Sequence, residues 1–369
     1  MSEALRSDAS QPMEQPNNDL SEVIGQLSVF TDDSNEPSTP PKNLSDMPVD
    51  VAESIIQKSD YKEQLVLRKT SKSLRTLVDK QQPACTRVEV SVMSDCIFCY
   101  YNDHRVAYIP PNWKRAALRT EFENYRMDTI TTKANYEEVA FDDLASILKT
   151  SKLQLDYFSF NIDNYGTETN GMKHDDFWNW KFRSSYKKMQ NILESINHQL
   201  SAKECTIDVS NYSNFMSILP YLEPGVLEKI SVSCEQYDGD WREFSEEIEQ
   251  VAYFEQWKQA KELQITSLIG EGFPLEYATH FKRFHCDGDL LVPNTVALIR
   301  DYILEHKNAE FCLITEYLCF ELLTFENLDG IVGTRVSPNS SHYTVPDSEF
   351  YLEFMIGDDR ITIEKKKKK

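Results

Sequence analysis

Glycine is scarce in this sequence and positive charge is outnumbered by negative charge, and each shortage excludes a class of binding site. There are 11 glycines among 369 residues, and the close pair Gly270 and Gly272 lacks the third glycine and the preceding strand of a dinucleotide-binding loop. The 39 Lys and Arg residues stand against 60 Asp and Glu residues, for a net charge of −21. Because nucleic-acid binding needs clustered positive charge, we expect no nucleic-acid partner, and the acidic balance favours a basic partner instead.

Long apolar runs are also absent. No run approaches the ~20 apolar residues that a membrane-spanning helix needs. The opening MSEALRSDAS lacks the basic region and the apolar region of a secretory signal. We therefore expect no membrane partner and a cytoplasmic or nuclear location.

The cysteines and histidines form no recognisable reactive group. The 8 cysteines are spread thinly and are expected to be reduced thiols in such a compartment. Cys96 and Cys99 form a CxxC in a strand-like run, where residues three apart point to opposite faces, and no second CxxC completes a zinc site. The 7 histidines form no paired ligand spacing. The sequence therefore predicts no metal, no cofactor and no catalytic site, as expected for a protein that is not an enzyme.

The most informative segment is residues 44–79, LSDMPVDVAESIIQKSDYKEQLVLRKTSKSLRTLVD. Pro48 suits a helix start, where its missing N–H costs nothing, and Asp50 lies near that positive helix end. An apolar stripe at helical spacing follows, and residues 61–70 and 71–79 predict two more helices. Three short helices of this kind cannot bury their own apolar faces, so they need a partner.

This segment resembles the F-box, a three-helix module that docks onto a Skp-family adaptor of cullin–RING ubiquitin ligases. The resemblance implies that the chain binds such an adaptor and, through it, a cullin. The residues that would form the adaptor-binding surface are Leu44, Met47, Pro48, Asp50, Val51, Ile55, Ile56, Leu65 and Leu67.

The segment departs from the F-box pattern at several positions. Met47 replaces a leucine, Asp50 replaces a glutamate, Ser59 stands where a large apolar residue is usual, and Leu74 occupies the place of a frequent tryptophan. Two alternatives stay open. The segment could be an ordinary trio of core helices. Ser59 and Leu74 favour the other alternative, in which the chain is an F-box-like scaffold or interaction protein that acts outside a ubiquitin ligase.

The rest of the chain alternates between helical and strand-like patterns. Residues 86–92, 96–101 and 105–109 predict a small antiparallel meander, and residues 349–356 and 360–364 predict a closing β-hairpin. Six helix-then-strand units lie between them. Their predicted helices are residues 141–148, 186–200, 214–222, 249–261, 275–281 and 294–306, and their predicted strands are residues 153–162, 205–209, 227–232, 262–265, 283–286 and 310–315.

Two architectures fit this alternation: a doubly wound sheet, or a solenoid of the leucine-rich-repeat type in which each unit stacks on the next. The strands are short and no glycine-rich phosphate loop follows the first of them. The units vary in length, however, and no clean LxxLxLxxN repeat is visible. The fold class that we expect is α+β or α/β, with an N-terminal three-helix F-box, then an irregular, leucine-rich-repeat-like helix–strand solenoid that begins with the β-meander and ends with the β-hairpin.

The body of the chain is similar to nematode F-box proteins of the F-box A type, whose second part is the FTH domain. The stretches that carry this likeness are residues 141–160, 254–265, 280–287, 296–311 and 343–364. The resemblance implies a substrate-recognition subunit of an SCF-type ligase, in which the FTH domain captures a target protein of unknown identity. The expected domains are a disordered tail at residues 1–43, the F-box at 44–82, the FTH domain at 83–364 and a lysine tail at 365–369, which we expect to be a solvated end.

One acidic segment is a candidate for target binding. Residues 235–255, EQYDGDWREFSEEIEQVAYFE, combine many carboxylates with interleaved aromatic side chains. The simpler interpretation is a solvated loop and helix start. The functional one is a surface for a basic target segment, since aromatic anchors and complementary charge are common in protein recognition. Its candidate residues are Tyr237, Trp241, Glu246 and Glu247.

Overall fold

The computed structural model describes residues 47–93, 95–110, 128–131, 135–162, 174–208, 213–233, 246, 248–266, 275–288, 293–316, 325–357 and 360–368. Its helices are α1 (Val49–Lys58), α2 (Tyr61–Thr70), α3 (Lys72–Lys80), α4 (Tyr136–Leu148), α5 (His174–Ser195), α6 (Ser213–Ile218), α7 (Glu255–Gln259) and α8 (Pro293–Glu305), with 3₁₀ helices at Leu219–Tyr221 and Leu275–Ala278. Its strands are β1 (Arg87–Val92), β2 (Ile97–Tyr101), β3 (His104–Ile109), β4 (Asp128–Thr131), β5 (Gln154–Ile162), β6 (Ser201–Asp208), β7 (Lys229–Ser233), β8 (Glu262–Thr266), β9 (Arg283–Gly288), β10 (Phe311–Glu316), β11 (Thr334–Ser337), β12 (Ser340–Thr344), β13 (Phe350–Ile356) and β14 (Arg360–Lys367).

The three predicted N-terminal helices are all present, and each begins at a residue suited to a helix start. Pro48 directly precedes α1. At the start of α2, Glu63 N–H donates to Asp60 Oδ1 at 2.8 Å and Asp60 N–H donates to Glu63 Oε2 at 2.9 Å, which is a capping box. At the start of α3, Leu74 N–H donates to Ser71 Oγ at 3.2 Å. These caps satisfy N–H groups that a helix start leaves without partners.

The strands of the described residues form one 14-stranded mixed sheet with the order β11-β12-β13-β14-β10-β9-β8-β7-β6-β5-β1-β2-β3-β4. The central strands β1 and β5–β10 run parallel to one another. The meander β1–β3 is antiparallel, as is the C-terminal group β10–β14–β13–β12–β11. The predicted meander and closing hairpin are therefore confirmed.

A short apolar spacing recurs at each of the seven parallel strands. One apolar residue lies within two positions of the strand start, and two more follow three and five positions later. These triplets are Cys85, Val88 and Val90; Leu155, Phe158 and Phe160; Ala202, Cys205 and Ile207; Leu227, Ile230 and Val232; Ala260, Leu263 and Ile265; Phe281, Phe284 and Cys286; and Ala309, Cys312 and Ile314. None of these side chains is more than 3% exposed. This repeat does not match the leucine-rich pattern LxxLxLxxN because alanine, cysteine and phenylalanine stand at many of the positions that leucine would occupy.

Helices and strand triplets share one core. Side chains of α4, α5, α6, α7 and α8 belong to the same buried apolar cluster as the triplets. Tyr186 of α5 donates its hydroxyl to Phe160 O at 3.4 Å, and Trp257 of α7 is fully buried. Parallel strands need crossover connections of this kind, and here the described helices contribute their buried residues to the sheet face that carries the triplets.

The predicted helix–strand units are present, with shifted ends. Helix α5 begins at His174 instead of residue 186, and the helix predicted at 249–261 is interrupted before α7. The segment predicted as a helix at 275–281 is a single 3₁₀ turn, Leu275–Ala278. Strands β4, β11 and β12 were not predicted.

The expectation of a solvated lysine tail is wrong for Lys365 and Lys366, which are half-buried, whereas Lys367 is exposed. Lys365, Lys366 and Lys367 belong to β14 and pair with β13. Lys365 Nζ donates to His306 O at 3.1 Å, and Lys366 forms an ion pair with Glu353. The alternation of the strand continues through these lysines because each finds an oxygen partner.

Candidate functional site

The helix trio buries one face of α1 and leaves its flank accessible. Ala52 and Ile56 are 2% and 0% exposed, and Ser59 is also buried. These residues are spaced by three and four positions, so they lie on one side of the helix. Val51 and Ile55 are offset from that side and are half-buried. Apolar side chains therefore remain accessible along α1 after the trio has packed.

The exposed apolar side chains of this region extend beyond the predicted set. Pro48 is exposed, Val49 is 60% exposed at the start of α1, and Val66 is 54% exposed on α2. Neither valine was among the predicted adaptor-binding residues, because both lie outside the apolar stripe of the sequence. We define the docking face as Pro48, Val49, Val51, Ile55 and Val66.

The structure distributes the predicted adaptor-binding residues over different environments. Leu44 lies outside the described residues. Met47 and Leu67 are half-buried and Asp50 is exposed in the first turn of α1. Ile56 is fully buried, and Leu65 packs against the core of the sheet. Ile56 is therefore not available on the surface of this structure and supports the trio from inside, whereas Leu65 is only partly buried.

The two unusual residues of the segment are also internal. Ser59 is 6% exposed and its hydroxyl donates to Ile55 O at 3.0 Å, at the end of α1. Leu74 is 3% exposed on α3. A small serine at this position is satisfied by the helix backbone, so neither substitution changes the docking face.

Two polar side chains hold the segment that connects the helix trio to the sheet. Gln64 is 4% exposed; its Nε2 donates to Ile56 O at 3.1 Å and its Oε1 accepts from Ala84 N–H at 3.0 Å. Asn102, in the β2–β3 turn with φ 55°, accepts from Thr86 N–H at 2.9 Å and donates to Ala84 O at 2.6 Å. The segment between α3 and β1 is therefore held from both sides.

Aromatic and charged contacts reinforce this junction. Tyr61 of α2 packs on Tyr101 of β2 with ring centroids 5.6 Å apart, and burial raises the pKa of Tyr61 far above its ordinary value. Lys62 pairs with Asp128 at 2.7 Å. His104 lies 3.5 Å from the same carboxylate, but burial first and Lys62 second lower the pKa of its imidazole. Residues Pro48–Lys369 accordingly form one compact unit.

The predicted target-binding residues fall mostly outside the described part of the chain. Tyr237, Trp241 and Glu247 lie outside the described residues, and Glu246 is an exposed helical residue. The acidic, aromatic surface therefore stays a prediction.

The described cysteines behave as core residues. Cys85, Cys96, Cys99, Cys205, Cys286 and Cys312 are free and buried. Burial raises the pKa of the Cys85 and Cys99 thiols to about 12, which disfavours the reactive thiolate. Cys96 and Cys99 belong to different apolar clusters, consistent with the expectation that they point to opposite faces. Within the described ranges, no group of three His, Cys, Asp or Glu side chains is arranged to hold a metal ion.

Comparison with known proteins agrees with these observations. Residues 44–85 match the F-box domain, and residues 183–329 match the FTH domain. The FTH match is narrower than the predicted range 83–364, whose outer parts stay a prediction. In the part of the chain that the structure describes, no helix is long and apolar enough to cross a membrane.

The chain is also similar to a curated protein of a nematode. It is 23% identical over 299 residues to F-box A protein 224 of Caenorhabditis elegans, which covers 79% of this chain and 70% of that protein. No solved structure matches the chain. With matches to an F-box domain followed by an FTH domain, the chain is similar to F-box proteins of the F-box A type.

Proposed function

We propose that this protein is a substrate-recognition subunit of an SCF-type cullin–RING ubiquitin ligase. Its F-box domain implies binding to a Skp-family adaptor, which would link it to a cullin. The FTH domain would hold a target protein. In this role the chain supplies proximity and orientation for ubiquitin transfer, and the chemistry resides in other subunits.

The observation that carries this proposal is the docking face. Val49 and Val66 are 60% and 54% exposed, and Val51 and Ile55 of α1 are half-buried. Apolar side chains that stay accessible after a helix trio has packed are candidates for a protein interface. Burial of each of these valines in a complex would contribute about 1–2 kcal/mol.

The alternative of a scaffold outside a ligase has less support than the sequence suggested. It rested on Ser59 and Leu74, and both side chains are internal. Neither presents an altered surface to an adaptor, so the docking face is compatible with adaptor binding despite these departures.

We further infer that the helix–strand units wind as an irregular, leucine-rich-repeat-like solenoid. Three regularities support this inference. Strands β5–β10 follow one another in chain order without a reversal, whereas a doubly wound sheet reverses its strand order. The apolar triplet recurs at each parallel strand. In addition, Thr86 O, Glu228 O, Lys261 O and Lys282 O each accept two successive N–H groups from the next unit.

Binding to a purified Skp-family adaptor tests the proposal. We would measure calorimetric affinity for the wild type and for Val49→Asp, with Val336→Asp as the matched control because Val336 is 52% exposed on β11. We expect tight binding by the wild type and by Val336→Asp, and at least tenfold weaker binding by Val49→Asp, because a carboxylate would be desolvated in an apolar interface. Absence of binding by the wild type would contradict the ligase role and favour the scaffold.

A further inference from the structure

The two faces of the parallel sheet differ in chemistry. Successive side chains of a strand point to opposite faces. Phe158 and Phe160 of β5 lie in the core that the helices share, so Ser159 between them points to the other face. The same alternation holds in β6–β9. The opposite face carries polar residues, and no described helix contributes its buried side chains there.

A charged row forms one border of this opposite face. Neighbouring strands place Arg87, Tyr157, Glu204, Lys229, Glu262, Arg283 and Phe311 side by side. Lys229 pairs with Glu204 at 2.8 Å and Arg283 with Glu262 at 3.3 Å. The guanidinium groups of Arg87 and Arg283 lie 4.2 Å and 4.1 Å from the ring centroids of Tyr157 and Phe311. The charges of this border therefore satisfy one another.

The next row consists of smaller polar side chains, and we name it the polar strip. Its members are Ser159, Thr206, Ser231, Gln264 and His285, which are neighbours in the strand register. Thr206, Gln264 and His285 are half-buried. Because serine and threonine are shorter than the lysines, arginines and glutamates of the border, the strip forms a shallow trough across the strands.

Two hydroxyls of the polar strip are buried without a partner. Ser159 and Ser231 are 0% and 7% exposed, and among the described residues neither Oγ makes a hydrogen bond. Asn161 is the next residue of β5 after Ser159 on the same face. Its side-chain oxygen is also buried and makes no hydrogen bond among the described residues. Buried polar groups are nearly always hydrogen-bonded, so such a concentration on one face points to a ligand that supplies the missing partners.

The dimensions of this face and the charge of the chain define the ligand. Five strands at ~4.8 Å spacing span ~19 Å, which an extended peptide covers with about six residues at ~3.3 Å each. The chain as a whole has a charge of −21. An acidic segment would be repelled, whereas a basic one is complementary.

We propose that the polar strip binds an extended, basic segment of the target protein. This inference rests on the proposed role in target recognition and assigns that role to a defined surface. The serine hydroxyls and the side chain of Asn161 hydrogen-bond the peptide backbone, and the basic side chains complement the negative charge of the chain.

Fluorescence polarisation with labelled decapeptides tests the proposal on the full chain. One probe alternates lysine and serine, and the other alternates glutamate and serine. Ser159→Ala/Ser231→Ala removes both hydroxyls without adding bulk. We expect it to weaken binding of the basic peptide by about fivefold for each hydroxyl, while its melting temperature equals or exceeds that of the wild type because no native hydrogen bond is lost. A merely structural role would change stability and leave peptide binding unchanged.

A matched pair of arginine variants distinguishes binding at the polar strip from non-specific attraction of a basic peptide to an acidic protein. Ser231→Arg fills the trough and adds a positive charge, and Ser146→Arg adds the same charge at an exposed position of α4. We expect Ser231→Arg to abolish binding and Ser146→Arg to retain it. Equal binding to both variants, preference for the acidic peptide, or no binding by the wild type would overturn the proposal.

The adaptor measurement keeps the two proposals distinguishable. If the adaptor binds and the strip variants leave peptide binding unchanged, the ligase role stands and the assignment of the strip fails. If the peptide binds at the strip and the adaptor does not bind, the strip is a recognition surface of a protein outside a ligase.

Discussion

At the scale of single residues, Gln64 joins three parts of the chain through one buried amide. It donates to Ile56 O of α1 and accepts from Ala84 N–H ahead of β1. Gln64→Leu keeps the volume but leaves the N–H of Ala84 without its partner. We expect the free energy of unfolding to fall by about 1–3 kcal/mol in urea denaturation. Gln57, whose amide bonds Gln81 on the exposed surface, is the control, and equal losses for Gln57→Leu would contradict this role.

A second residue-scale prediction concerns the carboxylate of Glu137 in α4. It pairs with the buried Lys181 and with Lys188, both on α5. Burial raises the pKa of Glu137, but the two lysines outweigh burial and hold the pKa below its ordinary value of 4.5. The stabilisation is therefore full above pH 4.5 and is lost as the pH falls through the lowered pKa.

Glu137→Gln tests this dependence. At pH 7 we expect a loss of about 3–5 kcal/mol, because Lys181 would keep a buried charge without its partner. The difference between wild type and variant should shrink below pH 4.5, as the wild-type carboxyl takes up a proton. Urea denaturation across this range measures both effects. Asp156→Asn, which breaks the exposed pair with Lys203, should leave stability unchanged at every pH, and a constant Glu137→Gln deficit would refute the assignment.

At the scale of elements, the edge of the sheet depends on a close backbone approach at Gly333, just before β11. Its φ is +79°, and a Cβ there would lie 2.4 Å from His342 O and 2.6 Å from Tyr343 Cα of β12. Gly330 has a similar φ of +75° with nothing within 4 Å of such a Cβ. Gly330→Ala should cost about 1–2 kcal/mol from the left-handed backbone alone. Gly333→Ala should cost clearly more and should raise amide exchange in β11 and β12; equal costs would show that the close approach is not limiting.

The element scale also shows what the sequence could predict. Strands β5–β10 were predictable because each combines apolar alternation with a preceding helical pattern. Strand β11 (TRVS) is exposed along its length and β12 (SSHYT) is mostly polar, so neither has an apolar signature. Strand β12 is placed by pairing with β13, and β11 by pairing with β12. Strand β4 is four residues long, and its sequence likewise has no apolar pattern that predicts a strand.

The candidate site, too, could be predicted only in part from the sequence. The apolar stripe of α1 was predictable, but the orientation of its members was not. Ile55 and Ile56 are adjacent in sequence, yet Ile56 is fully buried and Ile55 is half-buried. Which of them reaches the surface depends on how α2 and the sheet pack against α1, and those contacts join residues that are far apart in the chain. The polar strip was invisible for the same reason, since its members come from five strands.

At the scale of the whole molecule, the F-box helices and the sheet share one interior. Tyr61 belongs to the same buried cluster as the strand triplets, and Gln64, Asn102 and Lys62 tie the helices to the sheet. A subunit built in this way would hold a target at a fixed orientation to the adaptor. This follows from the packing at the junction, because rotation of the helices would break these contacts together.

Tyr61→Ala tests whether the two parts unfold together. Tyr61 is 6% exposed and contacts Tyr101 across the junction, so we expect a loss of about 3–5 kcal/mol. If the interior is shared, hydrogen exchange in urea should accelerate in β6–β8 as much as in α1–α3, within a single transition. Val66→Ala, which truncates an exposed side chain of the same helix, should leave both rates unchanged. An early transition confined to α1–α3, with β6–β8 as stable as in the wild type, would show instead that the F-box is an independent module joined to the sheet by a weak contact.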